Sequence, residues 1–355
     1  MKACVLHGVG DLRYEDVPPP EPGPGEILLA VGACGVCGSD LPRVFVKGTY
    51  RFPTIPGHEF AGRVADVGKG VDPALIGRAF AVFPLIPCGR CPMCRVGEYA
   101  QCADYDYLGS RSNGAFAEYV CAPAWNLVAV PDGLSLEEAA MAEPAAVAVH
   151  ALSRGGADAG DAVLIFGAGP IGLMIAMWAR IRGAGKVLLV DIDPRKLDFA
   201  GTLGFAHRFN SKEGGLDAWI RTETGRGADL VVEASGSSAA FAQCMPAART
   251  FGRVVLMGNP AGEMRLPQDA YWAILRKQLT VTGTWNSRFS DLPRNEWALA
   301  LDTMASGALN VKPLITHRVT LEQLPGTLAG IRDQSEFSNK VMCVNAPLTG
   351  GAAEA

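Results

Sequence analysis

The stretch AVLIFGAGPIG, residues 162–172, governs the reading of this chain. Ala162–Phe166 is a short, unbroken apolar run of the kind that forms a buried strand. Gly167, Gly169 and Gly172 then stand at G-x-G-x-x-G, and apolar helical material continues through Ile181. Such a fingerprint is weak alone. Here it follows a strand and opens a helix, and an acidic residue, Asp191, lies 19 positions beyond Gly172 at the end of a second strand, Lys186–Val190. In that context Gly167 permits a tight turn, Gly169 lets the backbone approach a pyrophosphate, and Gly172 lets helix and sheet pack closely. Pro170 lacks an N–H and suits the first helical turn, with Ile171 beside it. The helix N-terminus faces the phosphates, and Asp191 bonds the ribose 2′-hydroxyl. A 2′-phosphate would meet like charge at Asp191, which favours NAD over NADP, although Arg195 and Lys196 offer cations nearby.

Beyond this stretch the alternation continues. Leu197–Leu203 reads as helix, and Asp229–Glu233, Arg253–Met257 and Thr280–Gly283 read as strands, so residues 148–285 form an α/β unit with a doubly wound parallel sheet. The preceding residues read as a β-rich domain with strands Glu26–Gly32, Phe60–Val67 and Ala79–Phe83, and Pro18–Gly25 as a stiff loop. After about Asn286 come helical pieces such as Trp297–Met304, a last strand Lys340–Val344 and a tail, Ala346–Ala355, that reads as frayed.

At 49% hydrophobic and 19% charged residues, a chain of 355 residues has material for two buried cores, which excludes global disorder. Its formal charge of −4, from 32 basic and 36 acidic residues, provides no electrostatic footprint for nucleic acid or an anionic membrane. Ala162–Ala179 is uncharged, but its glycines and Pro170 break it as a membrane span. Met1–Asp16 carries charges and no apolar core of a signal peptide, so a cytoplasmic location is expected. Clustered thiols in such a compartment are metal ligands before they are disulfides.

Cys88, Cys91, Cys94 and Cys102 follow C-x2-C-x2-C-x7-C. Four thiolates close a tetrahedral zinc shell with no open position, the pattern of a structural site, in a lobe at about residues 84–104. Cys37 (in GVCGSD, 35–40), His58-Glu59 (in GHEFAG, 57–62) and Glu143 suggest a second ion. Cysteine, histidine and a carboxylate leave a fourth position for water or substrate, and the residues alone leave Glu59 and Glu143 both open as that carboxylate.

Together these residues resemble the zinc-containing medium-chain dehydrogenase/reductase superfamily, in its polyol dehydrogenase branch and nearest its galactitol-1-phosphate dehydrogenases. The resemblance runs nearly the whole chain and is carried most narrowly by CGSDLPRVF (37–45), PLIPCGRCPMCRVGEYAQC (84–102), LGSRSNGAFAEY (108–119) and ILRKQLTVTGTW (274–285). It implies a GroES-like catalytic domain split between residues 1–147 and 286–355, with a Rossmann NAD domain between. It implies that Cys37, His58 and Glu143 hold a catalytic zinc with Glu59 close by, and that Ser39 relays the alcohol proton. Relatives often have a histidine where Pro42 stands, and often glycine where Asn339 precedes Lys340.

The implied reaction is zinc- and NAD-dependent oxidation of a secondary alcohol of a polyol or polyol phosphate. If the substrate carries a phosphate, Arg43, Lys47, Arg51 and Arg111 are the candidate cations near the motif loops. The alternatives are a free-polyol, vicinal-diol or threonine-type dehydrogenase, and a catalytically silent NAD-binding sensor. The family's habit implies a homodimer or homotetramer.

Overall fold

The computed structural model describes residues 1–260 and 262–345, so the reading of Ala346–Ala355 lies outside the described residues. The chain divides into two compact units, Met1–Glu143 with Arg288–Ala355, and Pro144–Ser287. The changes of unit fall at Glu143/Pro144 and Ser287/Arg288, where the sequence reading had 147/148 and 285/286. Helix Ala142–Arg154 runs unbroken through the first of these points, so no linker composition marks it.

The second unit is a six-stranded parallel sheet in the order His207–Asn210, Lys186–Asp191, Ala162–Phe166, Ala228–Glu233, Ala248–Leu256, Thr280–Gly283. The chain begins in the middle, works out to one edge, then returns beside its first strand and works out to the other. The reversal between Ala162–Phe166 and Ala228–Glu233 opens a crevice at the carboxyl ends of these strands. The glycine turn sits there. Gly167 has φ +106°, a conformation that favours glycine, and Gly169 is the N-cap of helix Pro170–Ile181 with Pro170 in its first turn. A Cβ on Gly172 would stand 1.8 Å from Gly167 O, so only glycine lets the helix lie this close to the turn.

The first unit is built on a seven-stranded sheet. Its order is Ile315–Val319, Lys340–Val344, Glu26–Gly35, Glu59–Val67, Ala79–Val82, Leu127–Ala129, with Tyr119–Pro123 also paired to Glu26–Gly35. Along the central strand Glu26–Gly35, Ile27, Leu29, Val31 and Ala33 alternate into the interior, where Phe60 and Phe116 are also buried. This strand is antiparallel to both Glu59–Val67 and Lys340–Val344, with Gly35 opposite Glu59 and Met342 opposite Gly35. Its carboxyl end therefore meets the amino ends of two neighbours. Segments far apart in sequence, around residues 35–40, 58–59 and 340, thus reach one end of one sheet.

Gly172→Ala should lower the stability of the second unit by about 1–3 kcal/mol, the usual cost of forcing extra volume into a packed contact. Thermal unfolding followed by circular dichroism measures this, and an unshifted transition would show that the turn and helix are not held at this contact.

Candidate metal centres and dinucleotide site

Three donor atoms, the Cys37 thiol, a His58 ring nitrogen and a Glu59 carboxylate oxygen, lie within 4.8 Å of one another. His58 and Glu59 are buried, at 4% and 1% exposure. Glu59 owes its place to a gap: a Cβ on Gly35 across the strand pair would lie 2.3 Å from Glu59 Oε2. Lys340 Nζ, itself buried, donates to Glu59 Oε2 at 2.6 Å and to Val36 O at 3.0 Å. Asp40, fully buried, accepts from Cys37 N–H at 2.9 Å and from Arg43 Nη1 at 2.5 Å. Its Oδ1 stands 3.5 Å from His58 Nδ1, a buried nitrogen with no hydrogen-bond partner. Glu143, in the first turn of helix Ala142–Arg154, is outside the group of three; its Oε1 is 3.5 Å from the Tyr107 hydroxyl. The Tyr107 ring packs 5.8 Å from that of His58.

The groups of this cluster set one another's charge states. Burial works against charge on His58, yet Asp40 and Cys37 hold its pKa well above the usual value. Burial, assisted by Glu59, pushes the Glu143 carboxyl up to about 7, against the pull of His58 and Lys340. Lys340 keeps its proton despite burial because Glu59 and Cys37 face it. Cys37, Asp40, Glu59 and Glu143 stand beside His58, Arg43 and Lys340 in this cluster, and the sulfur–imidazole–carboxylate donor set of Cys37, His58 and Glu59 suits zinc.

The four-cysteine lobe is equally suited to an ion. The donors of Cys88, Cys91, Cys94 and Cys102 lie within 4.8 Å of one another. The sulfur separations are 3.5 Å for Cys91–Cys94, 3.9 Å for Cys91–Cys102 and 4.0 Å for Cys88–Cys94. A tetrahedron of sulfurs about 2.3 Å from zinc has edges of about 3.8 Å. Backbone N–H groups of Ala103 and Cys94 bring the Cys91 thiol down to about 6, whereas burial carries Cys94 up to about 12. Gly89 and Gly97, with φ of +70° and +77°, let the chain turn around this point.

In the second unit, a Cβ on Gly169 would meet no protein atom within 4 Å, which leaves open space before the helix N-terminus for a phosphate. Asp191 ties the glycine turn to its neighbouring strand: Oδ2 accepts from Ala168 N–H at 2.7 Å, and Oδ1 from Ile192 and Asp193 N–H at 2.7 and 2.9 Å. A carboxylate has about four acceptor sites, so one remains for a ribose hydroxyl. Arg195 is held by Asp193 at 2.9 Å, and Lys196 Nζ lies 3.9 Å from Asp191. Ile171 is half-buried in the first turn of the helix.

With this geometry in view, the comparisons with known proteins are specific. The alcohol dehydrogenase GroES-like domain model matches residues 23–132, and the zinc-binding dehydrogenase model residues 170–306. The galactitol 1-phosphate 5-dehydrogenase of Escherichia coli K12 is 36% identical over 348 residues, which cover 97% of this chain and 100% of that one. The chain belongs to the zinc-binding alcohol dehydrogenase family. The sorbitol dehydrogenase of Bacillus subtilis is 34% identical over 351 residues, 97% of this chain and 96% of that one. The crystal structure of galactitol-1-phosphate dehydrogenase from Escherichia coli matches with a TM-score of 0.91 at 34% identity, covering 97% of this chain and 100% of that one. A zinc-binding dehydrogenase from Sinorhizobium meliloti bound to NADP matches at 0.88 and 30% identity, and an alcohol dehydrogenase from Escherichia coli complexed with NADH at 0.88 and 26%, each covering 97% of this chain and 99% of the other. The protein is thus an oxidoreductase with a GroES-like unit and a Rossmann unit. Among the described residues no helix is long and apolar enough to cross a membrane.

The candidate phosphate-binding cations of this dehydrogenase have separate fates. Arg43 is paired with the buried Asp40 and is only 15% exposed. Lys47 and Arg51 are exposed. Arg111 is half-buried, its guanidinium 4.4 Å from the ring centres of both Tyr50 and Tyr105. Ser39 is half-buried, with its N–H 3.5 Å from Cys37 Sγ. Sequence reasoning gave no role to Asp40, Tyr107 or Lys340. The lone lysine opening the apolar strand KVMCV and the carboxylate three residues after Cys37 were the available signals; nothing local distinguished Tyr107.

Lys340→Met removes the partner of a carboxylate that is 1% exposed, and breaking a buried pair in this way costs about 3–5 kcal/mol. Urea unfolding of zinc-loaded protein should show a loss of that order, and a loss below about 1 kcal/mol would mean that Glu59 finds water or another donor.

Proposed function

We propose that this dehydrogenase oxidises a secondary alcohol of a polyol or polyol phosphate to the ketone with zinc and NAD, and that its substrate resembles galactitol 1-phosphate, giving a ketose phosphate. The observation that carries the reading is the convergence of Cys37, His58 and Glu59 on one point beside Glu143, in a chain that also presents an open glycine turn with Asp191 at its base. In this reading Cys37, His58 and Glu59 hold the catalytic zinc, with Glu143 the adjacent carboxylate, and Cys88, Cys91, Cys94 and Cys102 hold a structural one. Bound there, zinc supplies a Lewis acid to the alcohol oxygen, and NAD supplies the acceptor of the hydride.

The remaining work falls to the chain. Asp40, fixed by Arg43 and the Cys37 N–H, faces Nδ1 of His58 and so sets the orientation of the ring. Lys340 holds Glu59 in place. Ser39 accepts the alcohol proton and passes it outward, and because Pro42 has no titratable group the proton leaves without that side chain. Gly167, Gly169, Pro170, Ile171 and Gly172 receive the pyrophosphate. Asp191 receives the ribose, and since Arg195 and Lys196 are already turned toward Asp193 and Asp191, NAD is preferred to NADP.

The near-equal similarity to a sorbitol dehydrogenase supports a second reading, in which the substrate is a free polyol. Relatives also include an L-idonate 5-dehydrogenase and L-threonine 3-dehydrogenases, so the profile to measure includes these alcohols. We also place the protein in the cytoplasm, in keeping with ten unpaired cysteines, as a homodimer or homotetramer. The edge strand Thr280–Gly283, with Val281 37% and nearby Trp285 56% exposed, is the surface through which copies would join; light scattering measures the assembly.

Cys37→Ala should abolish NAD reduction and lower zinc content from two ions per chain to one, measured by elemental analysis of the same sample. Full activity together with zinc missing from that site would remove the ion from the mechanism. Asp191→Ala should raise KM for NAD by about tenfold or more and narrow the preference over NADP, as expected for losing a hydrogen bond to a charged group; an unchanged ratio of the two cofactors would take the ribose away from Asp191.

A further inference from the structure

Most arginines held in place in this chain are held by carboxylates, as Arg43 is by Asp40, Arg195 by Asp193 and Arg318 by Glu137. Arg111 is held by two rings. Its guanidinium carbon is 4.4 Å from the centres of both Tyr50 and Tyr105, and among the described residues no acceptor hydrogen-bonds or pairs with the group. Neither ring offers the N–H groups a hydrogen-bond acceptor of the carboxylate kind, so the fork of donors remains available to a bidentate anion. A side chain immobilised beforehand also loses little freedom when the anion arrives.

The loop carrying Arg111 is registered on the segment that carries His58. The N–H groups of Ser110, Arg111 and Ser112 all point to Tyr107 O, at 3.2, 2.9 and 3.2 Å. Gly114 N–H bonds Ile55 O at 2.7 Å, and Ala115 N–H bonds Gly57 O at 2.9 Å. Gly109 and Gly114 press so closely on Gly57 that a Cβ on either would lie 2.4 or 2.1 Å from Gly57 O. From Arg111, ring contacts run through Tyr105 to Tyr107, 6.4 Å apart, and from Tyr107 to His58 at 5.8 Å.

We infer that Arg111, held against Tyr50 and Tyr105, binds the phosphate monoester at the far end of a polyol phosphate whose reacting alcohol lies at the Cys37–His58–Glu59 centre. The inference rests on the dehydrogenase reading above and names its substrate class. The Arg111 cation attracts a phosphate dianion, which places the phosphate at the arginine and leaves the Cys37–His58–Glu59 centre to the alcohol. Tyr50 and Tyr105 are positioning residues in this arrangement.

The test compares kcat/KM for galactitol 1-phosphate and sorbitol in the zinc-loaded enzyme with NAD, alongside calorimetric binding of galactitol 1-phosphate without nucleotide. In Arg111→Met the ratio of the two kcat/KM values should fall about thirtyfold, equivalent to about 2 kcal/mol, mainly through KM for the phosphate ester. Tyr105→Leu should lose a substantial part of the ratio, and Tyr105→Phe, which keeps the ring and drops the hydroxyl, should restore it. Zinc content and melting temperature of each variant separate a folding defect from a lost contact. An unchanged ratio in Arg111→Met overturns the inference, as does an equal loss on both substrates. A wild-type enzyme that reduces NAD with sorbitol and shows no preference for the phosphate ester also overturns it, with the dehydrogenase reading intact. If no alcohol reduces NAD, that reading fails by itself. The clamp is then judged by calorimetry, where equal binding of galactitol 1-phosphate to wild type and Arg111→Met, or none to either, overturns it.

Discussion

A lysine ammonium and a glutamate carboxylate, 2.6 Å apart and almost wholly out of water, join the last strand of the chain to the start of Glu59–Val67. Burying two charges is expensive, and the attraction between them offsets that cost only where geometry is good and the remaining donors are satisfied. Here Lys340 has a second acceptor in Val36 O, and Gly35 leaves the space that Glu59 needs. The pair therefore fixes where the carboxylate stands relative to Cys37 and His58. Antiparallel pairing makes the arrangement possible, because the end of one strand and the beginnings of two others coincide at one edge of the sheet.

The two units approach their ligands by different physics. In the Rossmann unit the backbone does most of the work: a positive-φ turn at Gly167, open space at Gly169 and close helix packing at Gly172 leave an opening before the helix N-terminus. Asp191 locks that opening by accepting from Ala168 N–H. In the GroES-like unit side chains dominate. The Cys37 sulfur, the His58 imidazole, the Glu59 carboxylate and the Lys340 ammonium meet from separate segments, and a loop locked to Gly57 sets Arg111 and its two tyrosines at a fixed register from His58.

Much of this was legible in the residues alone because the governing signals are local. A strand, a glycine turn and a helix occupy consecutive positions from Ala162 to Ile181, and the four cysteines of the lobe span only Cys88 to Cys102. The candidate cluster was legible only in part. Cys37 and His58 announce themselves by residue type, but the positions of the carboxylates needed the fold: Glu59 stands within 4.8 Å of both, and Glu143, which the resemblance implied as a ligand, stands beside Tyr107. Arg43 and Arg111 look alike in sequence, each a cation in a motif loop. Their surroundings separate them, since one faces a buried aspartate and the other two tyrosines.

Chain chemistry at short range thus specified the parallel α/β unit, the thiolate lobe and the class of reaction, because turns, strand periodicity and ligand spacing act over a few residues. Tertiary contact decided where each carboxylate stands relative to Cys37 and His58, that Lys340 is the counter-charge of Glu59, and which arginine lies against rings rather than a carboxylate. These are outcomes of pairing between segments as distant as residues 36, 59 and 340, and their energies depend on distance and burial that no local pattern contains.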